Sequence, residues 1–356
     1  MDTRTSTDGA DVDPAGVRLG ALSDPQGRRI DYVRLSVTDR CNYRCTYCLP
    51  EEGIEHLERA DILSFEEIVA IARCFAALGV RRLRLTGGEP TVRRDLVGLA
   101  RRLRAVAGID DLALSTNGHL LPELAAPLRA AGVDRLNVSL DTLDAEKFAR
   151  ITRRGDLARV LAGIDAARAA GFVIIKTNTV AVKGFNDGEV AALCDYAWSR
   201  GLVPRFIEQM PMAGGELFVP GELLSAREIR DLICAAHPGA TLVAEDGGAA
   251  RGAGPARYWR LETPGQNGPA RRVGVISAMT EHFCEACNRV RLSASGALHA
   301  CLGYDDAVDL RAVLREQGEA AVVAAIRRAV SGKRPAHNFG LLGIGGPRKT
   351  MISIGG

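Results

Sequence analysis

Residues 30–48 read IDYVRLSVTDRCNYRCTYC, and the rest of the chain can be ordered outward from them. Residues 30–38 alternate and are rich in β-branched side chains, the pattern of a strand. Cys41, Cys45 and Cys48 follow at once, spaced Cys-x3-Cys-x2-Cys in a loop. In parallel α/β folds functional groups collect where strands end. The strand therefore delivers three thiols to the place where such folds do chemistry.

Downstream, Ser64 and Glu67 make a capping box for a helix that Gly79 ends. A strand at 80–86 runs into Gly87-Gly88-Glu89-Pro90, with a helix at about 93–107. Strands are expected at 112–116, 135–140, 172–182 and 203–210. Helices separate them at about 120–131, 144–150, 156–170 and 187–200. Strands alternating with helices imply βαβ units and a parallel sheet. Six units predict an α/β fold: an incomplete (β/α)6 barrel of the triosephosphate-isomerase type, over residues 19–220. Polar residues recur at the strand ends: Gly87 and Gly88, Asn117 and Gly118, Ser139 and Asp141, Lys176 and Asn178, Gln209 and Met210. Beyond 220 the pattern changes. A helix at 225–236, a loop-rich stretch at 244–271 with two short strands, a strand at 288–299 and a helical segment at 307–331 form a smaller C-terminal α+β region, 221–356.

Composition narrows the class. The chain has 356 residues, 47% hydrophobic, enough for a large core. Charge is nearly balanced at +3 and aromatics are 5%, so neither a nucleic-acid platform nor a disordered chain is expected. The first 18 residues are polar and acidic, a disordered tail with no signal-peptide core. No apolar run reaches the roughly 18 residues that a membrane span needs, so a cytoplasmic protein without membrane contact is expected.

Nine cysteines are present. Six form two triplets: Cys41, Cys45, Cys48, and Cys284, Cys287, Cys301; Cys74, Cys194 and Cys234 sit in predicted helices as small buried hydrophobes. An odd count in a long chain does not describe a disulfide framework. Three close thiolates can hold a cuboidal iron–sulfur cluster with one iron left open, whereas zinc favours a closed set of four. The second triplet, Cys-x2-Cys-x13-Cys, is also compatible with structural zinc, with His282 or His299 as fourth ligand.

The first triplet, with Tyr47 before its last cysteine and Gly87-Gly88-Glu89-Pro90 after the second strand, resembles the radical S-adenosylmethionine (SAM) superfamily. From about residue 20 onward the chain is similar to the GTP 3′,8-cyclase family of molybdenum-cofactor biosynthesis. The carriers are the GGEP segment, the RLNVSLD stretch, Cys287-Asn288-Arg289-x-Arg291, the x13 spacing and the terminal Gly355-Gly356. The resemblance implies two 4Fe-4S clusters, at Cys41, Cys45, Cys48 and at Cys284, Cys287, Cys301. SAM would chelate the open iron of the first, and guanine would bind the second. A 5′-deoxyadenosyl radical would take the ribose 3′ hydrogen of GTP, and C3′ would attack guanine C8.

By the same resemblance, Tyr47, Gly88, Glu89, Ser139 and Met210 match SAM-contacting positions. Arg34, Arg84, Ser115, Lys176, Arg289 and Arg291 match GTP-contacting ones, Ser115 standing where the family carries threonine. Arg205 is a further candidate cation. Arg289 and Arg291, alternating on one strand, face one side and lend electrostatic help or a proton in catalysis, the former being safer for arginine. Gly355 and Gly356 form a tail that enters the active site. The implied partners are GTP, a flavodoxin- or ferredoxin-type electron donor, cyclic pyranopterin monophosphate synthase as receiver of the product, and a second copy in a homodimer. Two other classes compete: a different radical SAM enzyme with an auxiliary cluster, such as a peptide-modifying one, and a zinc protein that binds RNA.

Overall fold

The computed structural model describes residues 20–213, 218–245, 254–265 and 269–354. The expected N-terminal tail and Gly355-Gly356 lie outside the described residues.

The quoted stretch forms β1 (Tyr32–Ser36). Ser64 then caps α1 (Phe65–Ala77): its Oγ accepts from Glu67 N, and Glu67 Oε2 accepts from Ser64 N at 2.7 Å. The alternation continues as expected through β2 (Arg82–Thr86), α2 (Leu96–Arg104), β3 (Asp111–Thr116), α3 (Leu121–Ala130) and β4 (Arg135–Ser139). It runs on through α4 (Ala145–Thr152), α5 (Leu157–Ala169), β5 (Ile174–Ala181), α6 (Val190–Ser199) and β6 (Val203–Glu208). All neighbouring pairs from β1 to β6 are parallel. This is the incomplete six-unit barrel that the alternation predicts.

After α7 (Ala226–Ala236) come β7 (Thr241–Ala244), β8 (Arg257–Glu262), β9 (Arg271–Ile276), β10 (Arg289–Leu292), β11 (Ala297–His299) and β12 (Val308–Asp309). These strands extend the barrel sheet at both edges. Strand β10 pairs in parallel with β1, and β9 in parallel with β6. Among the described residues the sheet runs β12-β11-β10-β1-β2-β3-β4-β5-β6-β9-β8-β7. Two details differ from expectation. Residues 288–299 are a hairpin, β10 and β11 antiparallel, because Gly296 at φ +87° turns the chain. The helical segment 307–331 is two helices, α8 (Leu310–Gln317) and α9 (Glu319–Ser331), broken at Gly318 with φ 81° and ψ −177°.

Strand pleating sorts the side chains. Val33, Leu35, Leu83, Leu85, Leu112, Leu114, Leu136 and Val138 pack in one core with Ile68, Ile71, Phe75, Leu99 and Leu128 of the helices. The alternate positions, Tyr32, Arg34, Arg84, Ser115, Asn137, Ser139, Lys176, Asn178 and Arg205, face the other side of the sheet. The helix-facing surface is therefore dry and the opposite one polar. Cys74 and Cys194 are fully buried, as expected of small hydrophobes, while Cys234 is only half-buried.

Candidate functional site

The first cysteine loop is built as a continuation of the parallel ladder. Past the end of β1, Val37 N donates to Thr86 O, Gly88 N to Thr38 O and Glu89 N to Arg40 O, all within 2.8–2.9 Å. The two glycines permit this approach. A Cβ on Gly88 would stand 2.3 Å from Arg40 O and 3.1 Å from Cys41 N. The GGEP turn and the cysteine loop are thus pressed backbone to backbone.

Cys41, Cys45 and Cys48 line one cavity of about 930 Å³ together with Tyr47, Gly88, Glu89, Arg34, Ser115 and Ser139. Asn117, Asp141, Asn178, Met351 and Ile352 complete its wall. Tyr47 donates to Asp141 Oδ2 at 2.7 Å, and Asp141 Oδ1 accepts from Val180 N at 2.8 Å. Burial still lifts the Asp141 carboxyl to about 6. Glu89 Oε1 accepts from Thr91 N, Thr91 Oγ1 and Thr116 Oγ1, and Oε2 accepts from Asn117 N at 2.6 Å. A lone-pair site on Oε2 remains for a ligand ammonium. Burial pushes Cys41 up to about 11 and Cys48 up to about 12, and raises Cys45 as well. Such thiols keep their protons until a metal centre replaces them.

The polar side of the barrel carries a belt of cations. Strand register sets Arg291, Arg34 and Arg84 side by side on β10, β1 and β2. It also sets Arg205 beside Asn178 and Gly274 on β5 and β9. Arg84, Lys176, Arg205 and Arg291 are buried. Arg84 Nε donates to Tyr32 Oη and its Nη1 reaches Ser115 Oγ at 3.5 Å. Lys176 donates to Tyr258 Oη at 2.8 Å, and Arg205 Nη2 to Asn178 Oδ1 at 2.6 Å. Burial drags Arg34 down to about 10 and Lys176 to about 8, and lowers Arg205 and Arg291. Burial alone would raise Tyr32, yet Arg84, Arg34 and Arg289 hold it down to about 8. The main electrostatic neighbours of Arg34, Lys176 and Arg205 are one another's kind and two phenols. A dry group of like charges is unfavourable by itself and well suited to a polyanion.

Cys284, Cys287 and Cys301 line a second cavity of about 430 Å³, together with Arg289, Arg291, Met210, Lys333, His337 and Phe339. Glu208 at the end of β6 docks this region, accepting from Met279 N and Thr280 N at 2.7 and 2.9 Å. Burial favours the Cys287 thiol, but Arg289, Lys333 and Arg28 bring it down to about 7. A third cavity, of about 460 Å³, is lined by Tyr47, Cys48, Met351 and Met210. It shares residues with each of the other two and lies between the triplets.

The residue sets fit iron–sulfur clusters better than single ions. Among the described residues no three His, Cys, Asp or Glu side chains converge as the ligands of one metal ion would. The thiols instead ring voids, as a cluster of four irons requires. Neither proposed zinc partner joins the second triplet: His282 pairs with His337 at 3.1 Å, and buried His299 sits on β11 opposite Arg291.

Most of the expected residues come together. Tyr47, Gly88, Glu89 and Ser139 share the first cavity, and Arg289 and Arg291 the second. Met210 lines the second and third cavities and not the first. Arg84 and Lys176 stand in the cation belt. Four residues were not anticipated: Tyr32, Tyr258, Arg28 and Lys333. Tyr32 was detectable, two residues before Arg34 on the same pleated face. Tyr258 lies in the loop-rich stretch and carries no local signal. It reaches Lys176 because Gly274 is empty: a Cβ there would stand 2.8 Å from the Tyr258 ring and 2.9 Å from Arg205 Cγ.

Two family models match the chain, the radical SAM superfamily over residues 35–197 and Molybdenum Cofactor Synthesis C over residues 203–339. GTP 3′,8-cyclase of Pelotomaculum thermopropionicum is 45% identical, over 94% of this chain and 100% of its own length. GTP 3′,8-cyclase 1 of Pseudomonas aeruginosa is 47% identical, over 90% of this chain and 94% of its own. Among solved structures, Streptococcus suis SuiB bound to S-adenosylmethionine overlaps with 90% of this chain and 73% of its own, at TM-score 0.57 and 15% identity, a likeness of fold alone.

Proposed function

The chain belongs to the GTP 3′,8-cyclase family of the radical SAM superfamily, and from that premise we infer how its two thiol-ringed cavities and its cation belt divide the work. It converts GTP to (8S)-3′,8-cyclo-7,8-dihydroguanosine 5′-triphosphate, the first step of molybdenum-cofactor biosynthesis, with two 4Fe-4S clusters and SAM as cofactors. The observation that carries the inference is the belt of buried Arg84, Lys176, Arg205 and Arg291 with half-buried Arg34, in which Arg34 and Arg291 lie on β1 and β10, the strands that adjoin the two triplets.

Cys41, Cys45 and Cys48 hold the SAM-binding cluster, and Cys284, Cys287 and Cys301 the auxiliary one. When bound, the cluster and SAM would supply the radical chemistry that starts the reaction at the substrate ribose. The chain's own residues bind and orient. Glu89 and the Gly88 backbone take the methionine ammonium, while Tyr47, fixed by Asp141, and Ser139 wall the first cavity. Met210 lines the auxiliary-cluster cavity and the third cavity, which also holds Tyr47 and Cys48. A triphosphate carries about four negative charges, which Arg34, Arg84, Lys176, Arg289 and Arg291 neutralise, with Ser115 as a hydroxyl contact. Arg289 and Arg291 also supply the positive field at the guanine side. Gly355 and Gly356, two residues without side chains, are assigned a part in turnover by the family resemblance.

No helix among the described residues is long and apolar enough to cross a membrane. We further propose a cytoplasmic homodimer that draws electrons from a flavodoxin- or ferredoxin-type donor and passes its product to cyclic pyranopterin monophosphate synthase. The decisive experiment is an anaerobic incubation with GTP, SAM and reductant, using protein that holds about eight irons per chain. The expected result is GTP-dependent 5′-deoxyadenosine and the cyclic nucleotide. Absence of both in the fully loaded protein overturns the assignment.

A further inference from the structure

Two buried cations outside the expected contact set hold the backbone of the second triplet. Arg28, on the turn before β1, is 9% exposed. Its Nε donates to Asp24 Oδ2 at 2.5 Å, and Asp24 Oδ1 accepts from the backbone of Gln26 and Arg28. Its Nη1 donates to Cys284 O at 2.7 Å and Pro335 O at 2.8 Å, and its Nη2 to Arg334 O at 2.8 Å. Lys333, just after α9, is 3% exposed and lines the second cavity. Its Nζ donates to Ala300 O and to Arg289 O. Three of these five accepting carbonyls belong to Cys284 itself, to the residue before Cys301 and to the second residue after Cys287. Every ligand-bearing segment of the triplet is therefore tied to one of these two cations.

The two differ in charge balance. Arg28 is neutralised by Asp24, so it acts as a fork that fixes geometry. Lys333 makes no ion pair with a carboxylate among the described residues and is held by neutral carbonyls. A buried ammonium in that state needs an anion beside it. A 4Fe-4S core on three thiolates supplies one, with net charge of about −1 oxidised and about −2 after taking up one electron. Outer groups of this kind orient ligands and tune the metal centre.

The geometry points to a division of labour: Lys333 sets the reduction potential of the auxiliary cluster, and the Arg28–Asp24 pair clamps the Cys284 segment so that the cluster is retained. Both are positioning residues, and the assignment rests on the second triplet being cluster ligands. A fixed positive charge favours the more negative, reduced form, so its removal makes the cluster harder to reduce.

The test uses the full chain, loaded anaerobically, as parent, Lys333→Met, Arg28→Gln and Arg28→Lys. Iron is counted, its loss to a chelator is timed, and the auxiliary cluster is titrated by electron paramagnetic resonance in a background with Cys41, Cys45 and Cys48 changed to serine. Lys333→Met is expected to keep its auxiliary iron while the reduced-to-oxidised ratio at fixed potential falls at least tenfold, a shift of about 59 mV. Arg28→Gln is expected to lose auxiliary iron at least tenfold faster, with Arg28→Lys restoring part of the retention. An unchanged potential in Lys333→Met, or loss of its iron outright, overturns the charge assignment. Unchanged iron loss in Arg28→Gln overturns the clamp. A parent that binds only about four irons overturns the ligand assignment of the second triplet instead.

Discussion

Replacing Gly88 with alanine tests whether the GGEP turn exists to let two backbones meet. The added Cβ would stand 2.3 Å from Arg40 O and 2.6 Å from Arg40 C, against a closest normal approach of 3.0 Å. The chain must open by about 0.7 Å, and both obstructing atoms are backbone, so no side chain can swing away. Overpacking of this kind costs about 1–3 kcal/mol. The opening also strains two hydrogen bonds, Gly88 N to Thr38 O and Glu89 N to Arg40 O, both 2.8 Å, worth about 1 kcal/mol each. A loss of about 3–5 kcal/mol is expected, a large part of a stability of about 5–15 kcal/mol, and seen as a Tm lower by about 4–7 °C in a chain of 356 residues. Because Cys41 follows Arg40 directly, iron at the first triplet should fall in step. The assay is thermal unfolding with an iron count, using Gly188→Ala, where a Cβ meets nothing within 4 Å, as the neutral control. Gly88→Ala within about 1 kcal/mol of the parent and with full iron would refute the steric account.

GTP binding should weaken as pH rises. Lys176 loses its proton and Tyr32 becomes a phenolate at about 8, and both changes remove positive charge from the belt. A dissociation constant at least about tenfold higher at pH 9.5 than at pH 7 is expected, with a flatter profile for Lys176→Met; a flat parent profile would contradict the belt's role. Glu89→Gln places an amide against donors on both sides, leaving one of Asn117 N, Thr91 or Thr116 without its acceptor. A cost of about 1–3 kcal/mol in stability and a raised KM for SAM are expected, and a normal KM would argue against the ammonium contact. Changing Gly355 and Gly356 together to alanine should abolish cyclisation while both clusters stay bound, as an iron count and product assay can show; full turnover would remove the tail from the mechanism.

Much of the fold was legible because its signals are short in range. The Ser64–Glu67 box, the Gly79 stop and the strand alternation each concern residues within a few positions, and all six barrel units appear where they were expected. The hairpin at 288–299 was missed because SASG lies between two apolar stretches that look like one strand without their partners. The cysteines were legible for a chemical reason: few uses other than cluster or metal ligation need three thiols at such spacing. Tyr258 was invisible, since its place depends on the antiparallel pairing of β8 with β9 and on the gap at Gly274.

Local spacing thus carried the barrel units, the two triplets and the glycine turn, since helix and strand periodicity and ligand spacing are written in neighbouring residues. The shared site is a different matter. Arg291 meets Arg34 because β10 joins β1, Lys176 meets Tyr258 across 82 positions, and Arg28 meets Cys284 across 256. Those meetings depend on strand register and on which edges pair, and register is chosen by the burial of whole faces rather than by any one segment. The cation belt and the clamp on the second triplet are products of that choice.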